Sequence, residues 1–198
     1  MKDFKYLFAY TVPLAVYISF ISTGLWTFFS VFYVFIIIPL LDLIFGETKE
    51  NLTDEDISYI KNKWIFDLML YLNLPIVFGL LYLILFNINS NVYEVYELVG
   101  LAISSGILLA TNGINVAHEL GHRKSFFDRF LSQTFYIPCL YMHFFIEHNY
   151  GHHIKVATPE DGATAKLNQS LYSFWLSSVT RQYICLLYTS DAADDRYR

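Results

Sequence analysis

Residues 115–124 read NVAHELGHRK, and their first two letters close an apolar run that begins at Tyr96. His118-Glu119-x-x-His122 is the His-Glu-x-x-His pattern of zinc peptidases, in which two imidazoles on one helical face bind the ion. The surroundings decide between two readings. One is a zinc site cut into a membrane helix, the other a larger nest of histidines around another metal.

Outward from that stretch the chain is strongly apolar. Of its 198 residues 55% are hydrophobic and 19% aromatic, and the mean hydropathy is +0.39, which exceeds what an ordinary soluble core needs. Four stretches, roughly 4–21, 25–44, 65–86 and 96–116, are long enough to cross a hydrocarbon core, which takes about 20 helical residues. The fold class this predicts is an all-α integral membrane bundle. Only Ser22, Thr23 and Gly24 separate the first two runs, so these form a tight helical hairpin. Pro13, Pro39 and Pro75 fall inside spans, where neighbouring helices can satisfy the freed carbonyls. Lys2 and Lys5 precede the first run as in a signal peptide. A second span follows at once and no small-residue cleavage site intervenes, which favours an uncleaved anchor.

Charge sets the expected orientation. No Lys or Arg lies between Lys5 and Lys49 or between Lys63 and Arg123. By the positive-inside rule the N-terminus, the loop 46–64 and everything after His118 are cytoplasmic. The net charge of −5 and the lack of a basic, aromatic-interleaved patch argue against nucleic acid as a partner. In the loop, Thr53-x-x-Asp56 reads as a capping pattern ahead of a short helix. The glycosylation patterns at Asn51 and Asn168 carry no weight on a cytoplasmic face. Cys139 and Cys185 are the only cysteines and form no CxxC, so a metal here is held by imidazole or carboxylate.

All six histidines lie between His118 and His153. A lone histidine beside an apolar face is usually a hydrogen-bonded structural residue, but a cluster at ligand spacing reads as a site. On an α-helix His118 and His122 share a face, as do His148 and His152, and His153 adds a fifth candidate. His143, five residues before His148, is either a donor behind the ligands or an interface residue. Glu119 and Glu147 adjoin ligand candidates and could orient a ring or offset positive charge; Asn115 and Asp161 are further candidates for such support. Solvent-facing roles for the two glutamates stay open. Thr111, Asn115, His118 and His122 make a polar stripe on the last span, which serves either as a path for substrate or as helix-to-helix hydrogen bonding. A peptidase needs two histidines, one more ligand and a water on a single zinc. Five or six imidazoles exceed that, and their number suits two late first-row ions such as iron.

"NVAHELGHRKSFFDRF" and "HFFIEHNYGHHIKVATPEDGATAKLNQSLYSFW" resemble the integral-membrane alkane 1-monooxygenases, relatives of the fatty-acid desaturases and hydroxylases. "PLLDLIFGE", Pro39 to Glu47, resembles the end of that family's second transmembrane helix. Desaturases have HxxHH in the second box, whereas this chain has HxxxHH. The resemblance implies six transmembrane helices in the complete protein and a non-haem di-iron centre ligated by histidine. It further implies terminal hydroxylation of medium-chain n-alkanes with O2, with electrons from rubredoxin and its NADH-dependent reductase. Carried over by position, His118, His122, His148, His152 and His153 are the metal ligands. Residues 1–184 then form the N-terminal part of one membrane hydroxylase domain, and "CLLYTSDAADDRYR", 185–198, reads as a non-native tail. The family's further histidine boxes do not follow, so turnover by this chain alone is not expected. Two other readings remain: a membrane zinc peptidase with Glu119 as base, and a non-enzymatic subunit carrying haem or metal.

Overall fold

Ser22 and Thr23 end one helix, and Gly24, at φ +66°, starts the next. Glycine adopts that left-handed backbone at no steric cost, so the expected hairpin forms. The structure, a computed structural model, describes residues 2–46, 53–61 and 63–194. Asn51, the Asp56 side chain and the end of the acidic tail lie outside the described residues. Among the described residues there are helices and no strands. The chain divides into two units, Met1–Val116 and Ala117–Arg198.

The first unit holds α1 (Thr11–Ile21), α2 (Gly24–Phe45), the short loop helix α3 (Asp54–Lys61), α4 (Trp64–Ser90) and the greater part of α5 (Val95–Gly121), whose residues from Ala117 on belong to the second unit. α2, α4 and α5 are each long and apolar enough to cross a membrane, and Lys5–Ile21 is a shorter apolar helix. Its first part belongs to a 3-10 stretch, Lys2–Tyr10. The steeper rise of a 3-10 helix takes Lys5–Ile21 to about 28 Å, against about 30 Å of hydrocarbon. Large apolar side chains such as Leu43 and Phe45 on α2 stay exposed, as lipid-facing positions do, while the contacts between helices bury Val16, Phe20 and Leu101 together with Ser19, Thr27, Ser30 and Ser104.

Those contacts are hydrogen-bonded. Ser30 donates through its hydroxyl to Ser104 Oγ at 2.7 Å, Ser104 to the Thr27 carbonyl at 2.9 Å, and the Ser30 N–H to Ser19 Oγ at 2.9 Å. Asn112 Nδ2 donates to Asn73 Oδ1 at 2.8 Å. The Glu97 carboxylate, buried at the start of α5, accepts from the N–H groups of Gly24 and Glu94, closing a capping box. Of the two readings of the polar stripe, helix-to-helix bonding is made by Asn112, one position off it; Asn115 is exposed. α2 widens into a π-turn at Tyr33–Ile37 immediately before Pro39, which accommodates a residue that has no N–H and crowds the carbonyl four positions back.

The second unit is built from α6 (Phe126–Tyr136), a broken helix α7 over 143–155, a loop over 156–170 and α8 (Leu171–Asp194). Ser125 caps α6 by accepting from the Asp128 N–H at 3.4 Å. The helix turns a buried face of Leu131, Ser132, Phe135 and Tyr136 inward. α8 continues unbroken past Cys185, where the composition turns acidic.

At Gly100 an added Cβ would meet the Thr27 hydroxyl and lie 2.8 Å from the Phe28 ring, whereas at Gly106 it would meet nothing. Gly100→Ala should therefore destabilise by about 1–3 kcal/mol through overpacking, and Gly106→Ala should not. Thermal unfolding of both variants in detergent checks the pair.

Candidate metal centre

Four imidazoles converge in the second unit. His118 and His122 stand one helical turn apart at the C-terminal end of α5, and their Nε2 atoms are 3.0 Å from each other. The α-helical expectation for this pair is met. Ser132 braces the turn by donating to the Ala117 carbonyl at 2.6 Å. Gly121 lets α6 and α7 close in, because a Cβ there would lie 3.1 Å from Ser132 Oγ and 3.3 Å from the Phe145 ring.

The second box departs from α-helical geometry. Glu147–His152 is a π-turn, bonded i→i+5, so residues five apart share a face. His148 Nε2 consequently lies 3.0 Å from His153 Nε2, 2.6 Å from His118 Nε2 and 3.3 Å from His122 Nε2. Ligand nitrogens of His118, His122, His148 and His153 all fall within 4.8 Å of one another. His152, expected to pair with His148, is placed differently. Its ring packs on His148 at 5.4 Å between centroids, but its Nδ1 is 2.9 Å from Asp161 Oδ2, and it is not one of the four.

The donor set fits a metal. Nitrogens bound about 2.1 Å from one ion lie about 3.0–3.4 Å apart; the three contacts of His148 and the His118–His122 pair span 2.6–3.3 Å, and the set as a whole falls within 4.8 Å. Burial, and then the neighbouring imidazoles His118, His153, His122 and His152, push His148 down to about 4. Its ring is neutral at physiological pH, with a lone pair available for coordination. Phe144 stacks on His148 at 4.8 Å and 19° and fixes the ring plane.

The other candidates take distinct places. Glu119 is exposed, with an oxygen 3.9 Å from Arg123 Nε; this is the solvent-facing alternative. Glu147 is buried, and its carboxylate occupies the space beside Gly151, where a Cβ would lie 2.5 Å from Oε1. His143 stands apart from the cluster between the rings of Tyr141 and Tyr183, at 4.6 and 5.5 Å. Its Nε2 is buried without a hydrogen-bond partner, and burial lowers its pKa. Ser132, Gly121 and Gly151 were not legible as site residues. The signal for the two glycines lies inside the boxes, HELGH and HNYGHH, where a residue without a side chain permits the close approach.

Residues 94–197, just over half of the chain, match the fatty acid desaturase family. The chain belongs to that family. It is a multi-pass membrane protein with a histidine cluster of metal-binding geometry. It is 37% identical over 140 residues to an alkane 1-monooxygenase of Pseudomonas putida, covering 70% of this chain and 34% of the relative. It is 36% identical to alkane 1-monooxygenase 1 of Alcanivorax borkumensis, with 72% and 35% covered. An alkane 1-monooxygenase of Ectopseudomonas oleovorans is also 36% identical, with 74% and 36% covered. The chain thus spans about a third of the length of the curated relatives it matches.

His148 touches all three other cluster nitrogens, so His148→Ala should lower the bound metal of the purified protein by at least about tenfold. His143→Ala should leave it unchanged. Elemental analysis of the two variants, purified alike, distinguishes them.

Proposed function

We propose that this chain carries histidine ligands of a membrane-bound non-haem di-iron monooxygenase. The reaction converts the terminal methyl of a medium-chain n-alkane: R–CH3, O2, two electrons and two protons give R–CH2OH and water. Rubredoxin, reduced by its NADH-dependent reductase, is the electron donor in this reading. The observation that carries it is the convergence of four Nε2 atoms in a chain similar to three proteins named alkane 1-monooxygenase. Six spans in the whole protein, with the N-terminus and the histidine boxes on the cytoplasmic side of the inner membrane, complete the proposal; the distribution of Lys and Arg supports the orientation.

Bound iron supplies one-electron redox chemistry and a means of using O2 that no side chain of this sequence has. The chain's own residues present neutral imidazoles. His118, His122, His148 and His153 are the ligands the geometry supports, with His152 as a fifth through its remaining nitrogen. Phe144 covers one face of His148 and helps to exclude water.

The competing readings lack support from the geometry. A peptidase zinc needs Glu119 beside an open coordination position, yet this carboxylate is exposed near Arg123 and four imidazoles already crowd one point. Axial haem ligands need a porphyrin between them, but the ring centroids of His118 and His148 are 4.4 Å apart and those of His122 and His153 4.8 Å.

Octane conversion to 1-octanol, measured with rubredoxin, its reductase and NADH, tests the function in the gene product expressed from its native locus and in the 198-residue chain. Iron-dependent 1-octanol from the gene product, abolished in His148→Ala, is the expected result. Bound zinc, with peptide cleavage lost in Glu119→Gln, would overturn the reading.

A further inference from the structure

His152 and Asp161 form a unit that the four-imidazole cluster does not use. Asp161 is 2% exposed and lies in the loop between α7 and α8. One carboxylate oxygen accepts from the Ala163 N–H at 2.9 Å; the other accepts from the Thr164 hydroxyl and faces His152 Nδ1 at 2.9 Å. Both oxygens thus act as acceptors, the role an ionised carboxylate takes.

The loop itself is pinned. Thr164 Oγ1 accepts from the Ala157 N–H at 3.0 Å, and Arg181 on α8 donates to the Pro159 carbonyl at 2.7 Å. Gly162 packs so closely on α8 that a Cβ would lie 3.3 Å from the Gln182 nitrogen. Backbone, hydroxyl and a neighbouring helix thus all serve to present one carboxylate to one ring nitrogen.

An ionised carboxylate can only accept, so the bond to it puts a proton on His152 Nδ1. We propose that Asp161 is a positioning residue: it holds His152 as the Nδ1–H tautomer and leaves the Nε2 lone pair free for a metal ion. The proposal rests on the metal-centre reading above and adds a residue to it. Carboxylate partners of this kind orient a ring and raise its basicity, and their loss typically costs ten- to hundredfold in metal affinity.

The test uses the protein in lipid nanodiscs with 15N-labelled histidine. Long-range 1H–15N spectra of the metal-free protein report which ring nitrogen carries the proton, with the His152 signals assigned by His152→Gln. In the wild type His152 should be protonated on Nδ1 and bare on Nε2. In Asp161→Ala it should move to the Nε2–H form or a mixture, and in the isosteric Asp161→Asn in the same direction by less. Titration with Co2+ should show affinity falling about ten- to hundredfold in Asp161→Ala. Thr164→Val, which removes the loop's hydroxyl but keeps the carboxylate, should retain the Nδ1–H tautomer. An unchanged tautomer in both Asp161 variants overturns the proposal. So does a metal affinity that falls equally in Thr164→Val and Asp161→Ala with the tautomer constant, because that is loop support alone. Failure of the wild type to bind Co2+ sinks the metal-centre reading itself, whereas equal binding by wild type and Asp161→Ala sinks only the role of Asp161.

Discussion

Four imidazole nitrogens brought within 4.8 Å of one another are an unfavourable arrangement for a protein to hold on its own. In the neutral ring one nitrogen is a donor and the other an acceptor, so four converging Nε2 atoms cannot all find a proton to share. Protonating any one ring places a cation against its neighbours, and burial together with this repulsion pushes His148 down to about 4. A divalent cation at the centre turns each of these costs into a bond. The second unit is therefore organised around a charge that the chain does not carry. The anchors nearby, buried Ser132 on the Ala117 carbonyl and half-buried Phe144 on the His148 ring, are what a preorganised site requires.

The first box was legible from spacing alone. His118 and His122 are four apart on a regular helix, and their nitrogens meet as the 3.6-residue repeat dictates. The second box was legible as a cluster but not in detail. A helical reading pairs His148 with His152, whereas the π-turn Glu147–His152 pairs His148 with His153 and turns His152 toward Asp161. Nothing in a periodicity argument announces a single π-turn, since it depends on where one extra residue is accommodated. Gly151 was the available hint, because only a residue without a side chain leaves room there for the Glu147 carboxylate.

The membrane unit shows the complementary limit. Its spans were visible because an apolar run of the right length has few other uses, and three of the four expected stretches are helices of spanning length. The pairing of those helices was not visible. It depends on Ser19, Ser30, Ser104, Asn73 and Asn112, which look like minor interruptions of an apolar pattern but make the hydrogen bonds between helices. Where lipid is as apolar as the side chains, burial of leucine discriminates little between arrangements, and small or polar contacts decide.

Three π-turns occur among the described helices, at Tyr33–Ile37, Leu109–Ile114 and Glu147–His152, and they do not have one cause. The first precedes Pro39 and relieves a steric conflict. The second contains Asn112, whose side chain reaches Asn73. The third contains no proline and occupies the second histidine box. An α-helical register across the same residues would direct His153 about 100° from His152 and away from the face of His148. By adding a residue to the turn, the chain brings two imidazoles of HNYGHH into different environments, one among four nitrogens and one against a buried carboxylate. The π-turn thus decides which of the two adjacent histidines joins the other nitrogens and which meets the carboxylate.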